Sequence, residues 1–198
     1  MTASPSETAR GAAPKRQRGI DRVAAIFQAS TTLFLDKGYD AVTMTEIAAT
    51  SGTAIGSLYR FFPSKEAVAD ALLRSYAESL GNGLLELRDR AAGMSPRQLA
   101  DALVDFMLAL RTQRSVALAL VDARGLEDSR RQLRASMLAD IGALLRTVLP
   151  SIDEARLPAM SAAVLQVLKG VAQSGPGFEV QGVIEECRRL IGAYLETV

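Results

Sequence analysis

The sequence contains no histidine and no tryptophan, and its single cysteine is Cys187. Histidine is the most common general base and metal ligand, and a lone cysteine without a histidine has no partner for nucleophilic catalysis. The chain also has no cluster of residues at metal-ligand spacing and no glycine-rich phosphate-binding loop. We therefore expect no enzymatic activity, no metal site and no cofactor, which argues against an enzyme or a small-molecule carrier.

Long apolar runs are absent too. No segment approaches the roughly 20 uninterrupted apolar residues that a helix needs to cross a bilayer, and the first residues lack the apolar core of a secretory signal. One cysteine cannot form an internal disulfide, which suits a reducing compartment. These observations predict a soluble cytoplasmic protein with no membrane partner.

The composition favours helices. Of 198 residues, 48% are hydrophobic but only 5% are aromatic, and Ala, Leu and Arg dominate over the β-branched residues that strands prefer. The net charge of +1 is unevenly distributed, because residues 1–65 carry 8 basic and 5 acidic side chains while the remainder carries 15 and 17. We expect an all-α protein whose N-terminal part has an anionic partner.

Helical periodicity, N-caps and breakers predict about nine helices and no strand. Thr43 and Glu46 have the spacing of a capping box, Ser64 is a predicted N-cap, and Ser95 precedes a proline at a first helical position. The predicted helices cover approximately residues 20–38, 43–51, 54–61, 64–90, 95–110, 116–123, 127–149, 157–174 and 178–197.

Residues 1–17 have almost nothing to bury, so they are predicted to form a disordered basic arm. The basic residues Lys15, Arg16 and Arg18 at its end favour two interpretations equally. Such an arm can reach into the minor groove or along the phosphates of DNA, or it can be a solvated tail.

Two short helices joined by a glycine turn at Gly52, the second rich in small and polar residues, are typical of a helix-turn-helix. The segment 39–65, YDAVTMTEIAATSGTAIGSLYRFFPSK, resembles the DNA-binding domain of tetracycline-repressor-like (TetR-like) regulators. The residues that carry the resemblance are Phe34, Gly38, Tyr39, Thr43, Ile47, Ala48, Gly52, Gly56, Leu58, Tyr59, Phe62 and Lys65.

The resemblance implies a recognition helix at residues 54–61 that enters the major groove of double-stranded DNA. The implied DNA-binding residues are Thr43, Thr53, Ala54, Ile55, Gly56, Ser57, Tyr59, Arg60, Phe61 and Lys65. Tyr59 and Ser57 can donate to phosphate oxygens, and Arg60 can pair with a phosphate or a guanine edge. Many relatives have more polar side chains at positions 54 and 55, so base readout here leans on Arg60, apolar contacts and DNA shape.

The resemblance further implies a DNA-binding domain at residues 18–64, with its motif at 43–62, and a ligand-binding and dimerisation domain at 65–198. Candidate residues for lining a ligand pocket are Tyr76, Phe106, Leu110, Val116, Leu120, Leu133 and Met137, each equally compatible with plain core. Apolar stripes on the last two helices predict a twofold interface that removes over roughly 1,200 Å² from water. Its candidate residues are Val164, Leu168, Val171, Val183, Cys187, Leu190, Ile191 and Tyr194.

Alternatives remain for these stripes, which can also pack within their own subunit, and for Cys187, which fits a core or interface residue better than a redox sensor. The resulting hypothesis is a homodimeric repressor that binds a palindromic operator and is released by an unknown small-molecule effector. The alternative is a TetR-like DNA-binding protein without an inducer, acting as a structural or partner-recruiting factor.

Overall fold

The computed structural model describes residues 15–110, 117, 120, 123, 125–173 and 178–198. Within these ranges it contains eight α-helices and no strand, which confirms the predicted all-α fold. They are α1 (Lys15–Lys37), α2 (Met44–Thr50), α3 (Ile55–Phe61), α4 (Lys65–Arg90), α5 (Pro96–Ala109), α6 (Glu127–Val148), α7 (Leu157–Gln173) and α8 (Phe178–Glu196). The further helix predicted at 116–123 lies mostly outside the described residues.

The structure differs from the sequence prediction at the start of α1. Residues 15–17, predicted as the end of a disordered arm, already belong to the helix. Its first turns carry Lys15, Arg16, Gln17 and Arg18, and so have no apolar residue to reveal the helical period. The rest of the predicted arm, residues 1–14, lies outside the described residues.

The helix starts follow the predicted capping signals. The Thr43 hydroxyl accepts from the backbone N–H of Glu46, whose carboxylate accepts from the backbone N–H of Thr43 at 2.8 Å. Ser64 caps α4, and Ser95 caps α5 in a second capping box with Gln98. Each cap satisfies N–H groups that the first turn of a helix cannot pair by itself.

Two hydrophobic cores lie along the molecule, and α4 contributes to both. The N-terminal core is formed by α1 to α3 together with Val68, Ala69 and Leu73 of α4. The C-terminal core takes Tyr76, Leu80, Leu84 and Leu87 from the following turns of α4 and adds apolar residues of α5 to α8. The packing around the helix-turn-helix therefore continues past residue 64 into the long helix, which physically joins the two halves.

Within the C-terminal half, α4 packs along α6, α6 packs on α7, and α5 packs along α8. Ion pairs tie α5 to α8, because Arg97 pairs with Glu196 at 2.6 Å and Arg188 pairs with Asp105 and Asp101. The side chain of Arg188 is only 16% exposed, so its charge is compensated locally by several carboxylates.

Candidate nucleic-acid interface

The motif is held together by a glycine turn and a buried seam. Gly52 has a φ of +62°, a backbone conformation that glycine adopts without strain. The Thr53 N–H then donates to the Ala48 carbonyl at 3.0 Å. Ile47 of α2 and Leu58 of α3 are both fully buried in the N-terminal core. The glycine turn and these buried residues fix the orientation of α3 relative to α2.

The outer face of α3 is exposed. Ile55 and Tyr59, one helical turn apart, are 43% and 50% exposed, and Gly56 and Arg60 form an exposed row beside them. The Tyr59 hydroxyl can donate to a phosphate, Arg60 can reach a phosphate or a guanine edge, and Ile55 can touch a thymine methyl. The structure thus brings together, on one short helix, the predicted residues with the chemistry for DNA contact.

Two residues predicted to face DNA are turned towards the protein instead. Thr53 is buried, with 7% exposure, because it lies in the turn that packs under the motif. Phe61 is half-buried and packs against the N-terminal core. Both residues therefore support the position of α3, and their contact with DNA stays a prediction.

Lys65, predicted to bind a phosphate, is engaged inside the protein. Its Nζ donates to the backbone carbonyl oxygens of Tyr39 at 2.7 Å and Asp40 at 3.1 Å, and it lies 4.4 Å from the centre of the Tyr39 ring. Burial, followed by the negative charge of Glu66, raises the pKa of Tyr39 to about 12, so its phenol stays neutral. Lys65 thereby anchors the start of α4 to the loop after α1.

The capping carboxylate of α2 also holds α1. Lys37 donates to Glu46 Oε1 at 2.7 Å, while Thr43 donates to Oε2 through both its backbone N–H and its hydroxyl, each at 2.8 Å. Hydrogen bonds from Lys37 and Thr43 lower the pKa of Glu46 to about 2. Thr43, a predicted DNA contact, has its hydroxyl committed to this cap, which joins the end of α1 to the start of α2.

Sequence reasoning did not single out Arg22. Its Nη1 donates to the Ser57 hydroxyl at 3.3 Å, which brings an arginine of α1 to the recognition helix, 35 residues later in the chain. Arg22 and the neighbouring Arg18 are four residues apart, a spacing that places both on one face of a helix. That basic row is the sequence signal that could have identified Arg22.

The candidate ligand-pocket residues lie in different parts of the structure. Tyr76 and Met137 are buried in the C-terminal core, against which Phe106, Leu110 and Leu133 pack half-buried. Leu120 does not lie with the other candidates, because it is fully buried in the N-terminal core with Ala123 and Leu126. This corrects its prediction as a pocket residue. The seventh candidate, Val116, lies outside the described residues.

A groove of about 380 Å³ lies between α4 and α6. It is lined by Leu73, Arg74, Ala77, Glu78, Ser129, Gln132, Leu133 and Ser136, of which only Leu133 was predicted. At its edge Asp70 of α4 pairs with Arg74 and accepts a hydrogen bond from the Ser129 hydroxyl of α6. Its size is within the range of small-molecule sites, and its lining offers both hydrogen-bonding and apolar groups.

The candidate dimer-interface residues divide into two sets. Four are 1% exposed and belong to the C-terminal core of this chain, and their place in an interface stays a prediction: Val164, Leu168, Val171 and Ile191. Of the other four, Val183 is 50% and Leu190 is 57% exposed, whereas Cys187 and Tyr194 are half-buried and pack against the C-terminal core. An apolar groove of about 300 Å³ on this part of the surface is lined by Ala163, Val164, Val167, Leu190, Ile191 and Tyr194.

Cys187 lies on α8 between Val183 and Leu190 and is half-buried. Burial, followed by the charge of Glu186, raises the pKa of its thiol, which keeps it protonated and less reactive than a sensor cysteine. In the described ranges, no three residues among His, Cys, Asp and Glu are grouped so that they could hold a metal ion. None of the helices described there is both long and apolar enough to span a bilayer.

Comparison with known proteins shows which proteins this chain resembles. Residues 26–72 match the family model for bacterial regulatory proteins of the tetR family. The HTH-type transcriptional repressor KstR2 of Rhodococcus jostii is 34% identical over 104 residues, 52% of this chain and 47% of that protein. The HTH-type transcriptional regulator EthR of Mycolicibacterium smegmatis is 36% identical over 72 residues, 36% of this chain and 33% of that protein.

The matched stretch thus spans less than half the length of these curated relatives. Likeness in fold extends further. A TetR-family transcriptional regulator from Streptomyces coelicolor, known from its crystal structure, aligns with a TM-score of 0.65 and 26% identity, over 91% of this chain and 99% of that one. The family match covers the second half of α1, α2, α3 and the first turns of α4, which are the elements that build the interface described above.

Proposed function

This chain belongs to the TetR-like transcriptional regulators, and on that premise we propose that it is a dimeric repressor that blocks transcription from a palindromic operator. The observation that carries the proposal is the outer face of α3, where Ile55, Tyr59 and Arg60 project from a helix-turn-helix packed on α1 and α4. A helix of this kind enters the major groove, where base pairs can be distinguished.

Readout by α3 combines few polar groups with an apolar contact. Arg60 supplies the strongest donor for a guanine edge or a phosphate, and Tyr59 supplies a hydroxyl for the backbone. Ala54 and Gly56 let the helix approach closely, because neither side chain obstructs the groove. Specificity then depends partly on the shape and deformability of the operator.

Dimerisation is supported by the outward apolar face of α7 and α8. Leu190, at 57% exposed, lines the groove that Val167 and Tyr194 help to form, and Val183, at 50% exposed, lies two turns earlier on α8. Large apolar side chains grouped around a groove favour burial against a partner, and a twofold axis would place the same face on both subunits. Such a dimer presents two α3 helices about 34–36 Å apart, one turn of DNA.

Release by a small-molecule effector is supported by the groove between α4 and α6. A ligand there contacts α4 at Arg74 and Glu78, two turns or fewer from the residues of α4 that pack under the helix-turn-helix. The ends of α4 lie in different cores, so displacement of this helix would change the separation of the two α3 helices. We expect a coupling of about 1–3 kcal/mol, as is typical between an effector and a ligand site.

The test is binding of the purified full-length protein to labelled duplexes from its own promoter and neighbouring intergenic regions, at stated salt. The variant Tyr59→Ala/Arg60→Ala removes two exposed donors of α3, and Arg131→Ala removes an arginine that is 77% exposed on α6. We expect the wild type and Arg131→Ala to bind one fragment alike and the double variant to lose at least tenfold in affinity. Equal binding by all three would contradict the proposal.

A further inference from the structure

A hydrogen bond joins α1 to the recognition helix. Arg22 Nη1 donates to Ser57 Oγ at 3.3 Å, and both groups are accessible to solvent. Ser57 follows the exposed Gly56 and precedes the buried Leu58, so it lies on the edge of α3 that is nearest to α1. The guanidinium of Arg22 is therefore positioned beside the face of α3 that is proposed to enter the major groove.

The electrostatic setting of Arg22 differs from that of the arginines that form ion pairs. Arg74, Arg97, Arg131 and Arg146 each pair with a carboxylate within 4.0 Å. Among the described residues, Arg22 has no such ion pair and bonds to a neutral hydroxyl instead. Its neighbour Asp21 accepts from Gln17 at 2.8 Å along α1. The positive charge of Arg22 is thus not neutralised at the surface next to α3.

A guanidinium has five N–H donors, of which Ser57 occupies one. The remaining donors form a planar fork that matches two oxygens of a phosphate. Arg18 lies one turn earlier on the same face of α1, which extends the row of positive charge along the helix.

We propose that α1 is a further DNA-contacting element, in which Arg22 binds a backbone phosphate beside the groove entered by α3 and at the same time holds Ser57 in place. This inference rests on the proposed function and adds to it an element outside the helix-turn-helix. Contacts to phosphate carry no sequence information, but they set the register of the recognition helix on the duplex. Arg22 then sets the depth and tilt at which α3 is presented.

The salt dependence of DNA binding tests the phosphate contact. Each phosphate contact on duplex DNA contributes about 0.9 to the slope of the logarithm of the association constant against the logarithm of salt. We expect Arg22→Ala to lower the magnitude of this slope by about 1.8, about 0.9 for each subunit of the dimer, and to weaken binding at least tenfold near 0.15 M salt, on promoter fragments and on an unrelated duplex alike. Arg131→Ala, which removes an equally charged surface residue, keeps the wild-type slope.

Ser57→Ala and the double variant Arg22→Ala/Ser57→Ala separate a direct contact from a positioning effect. We expect Ser57→Ala to keep the wild-type salt slope, and Arg22→Ala to lose affinity in its presence as well. If Ser57→Ala reproduces the whole loss and the double variant loses nothing more, the phosphate contact is overturned. Arg22→Gln, which keeps a long polar side chain, guards against a folding defect, and thermal melts of each variant confirm the folded state.

The outcomes also separate this inference from the proposed function. Salt slopes that are equal in the wild type and Arg22→Ala, with binding still lost in Tyr59→Ala/Arg60→Ala, overturn the role of α1 alone. Binding that survives in Tyr59→Ala/Arg60→Ala contradicts the role of α3. No binding of the wild type to any duplex at low salt overturns both.

Discussion

Two of the three N–H groups of Lys65 are bonded to the carbonyl oxygens of Tyr39 and Asp40, although resemblance implies a role on phosphate for this residue. The two roles differ in what a substitution removes. A purely DNA-contacting residue can be truncated without loss of stability, whereas loss of the Lys65 ammonium leaves carbonyl groups of the loop after α1 without their donor. Arg60, exposed on α3, is the natural comparison.

We therefore predict that Lys65→Ala lowers the free energy of unfolding by about 1–2 kcal/mol, the size of a charge-assisted hydrogen-bond loss. Arg60→Ala leaves the unfolding temperature within about 1 °C of the wild type, since exposed substitutions change stability little. Thermal denaturation followed by circular dichroism measures both variants. A Lys65→Ala protein as stable as the wild type would show that the bonds to Tyr39 and Asp40 contribute nothing.

The lowered pKa of the Glu46 carboxyl predicts that the stability of the protein decreases in acid. Hydrogen bonds from Lys37 and Thr43 lower its pKa to about 2, below the ordinary value of 4.5. A folded-state pKa that is lowered contributes stability above the unfolded pKa, and this contribution is lost as pH falls from about 4.5 towards 2.

The measurement is a series of thermal melts of the wild type and Glu46→Gln between neutral pH and pH 2. We expect the stability difference between the two proteins to be constant above about pH 5 and to shrink below about pH 4.5, because the protonated wild type comes to resemble the variant. A difference that stays constant down to pH 2 would contradict the role of the carboxylate.

At the scale of helices, the sequence predicted most of the fold because the signals for helix ends are local. Thr43, Ser64 and Ser95 act as N-caps as their spacing predicts, and Gly52 has a positive φ at the turn. Long-range packing has no such local signal. A helical period shows that Leu120 is buried, but not that it joins the N-terminal core.

The stripes on α7 and α8 illustrate the same limit. Ile191 and Leu190 are neighbours in an apolar stretch, yet Ile191 is 1% and Leu190 is 57% exposed. When an apolar stripe is wide enough to pack both within its own subunit and against a partner, the sequence does not show which edge of the stripe makes which contact. The sequence likewise did not show that Thr53 is buried and Phe61 half-buried, because both share a pattern with the exposed residues between them.

Two glycines of α4 form a matched pair for a prediction. A Cβ at Gly83 would lie 2.2 Å from Cε2 of Phe106 on α5, whereas a Cβ at Gly81 would meet nothing within 4 Å. We expect Gly81→Ala to stabilise the protein by about 0.5–1 kcal/mol through helix propensity. Gly83→Ala forces the Phe106 ring out of place and costs about 1–3 kcal/mol, as overpacking does.

Unfolding temperatures of the two alanine variants are the readout, and Gly83→Ala/Phe106→Leu is the rescue. The smaller, flexible leucine should recover part of the loss by making room for the new methyl group. If Gly83→Ala proves as stable as Gly81→Ala, the close approach between α4 and α5 does not restrict residue 83.

At the scale of the whole molecule, α4 is the only helix shown to bury residues in both cores within the described ranges. Leu126, just before α6, packs in the N-terminal core while α6 itself packs in the C-terminal one. The two halves are therefore joined by packed apolar residues as well as by the chain. Movement of α6 relative to α4 would therefore change the position of the helix-turn-helix, although the ligand and the DNA make no contact with each other.

The outward face of α7 and α8 makes the last prediction. Leu190→Glu, placed in the apolar groove beside Val167 and Tyr194, introduces a charge that a twofold interface would have to bury without a partner. We expect the protein to become monomeric at micromolar concentration by light scattering. Because two linked α3 helices bind a palindrome far more tightly than one, its affinity for a palindromic fragment should fall by at least 100-fold.

Leu85→Glu is the control, because Leu85 is 46% exposed and belongs to α4, which contributes no residue to this groove. It should keep the mass and the DNA affinity of the wild type. A Leu190→Glu protein that remains dimeric, and stays dimeric when Val183→Glu is added, would exclude this face as the interface. Loss of dimer with unchanged palindrome affinity would instead show that each subunit binds DNA independently, which contradicts a mechanism based on the spacing of the two α3 helices.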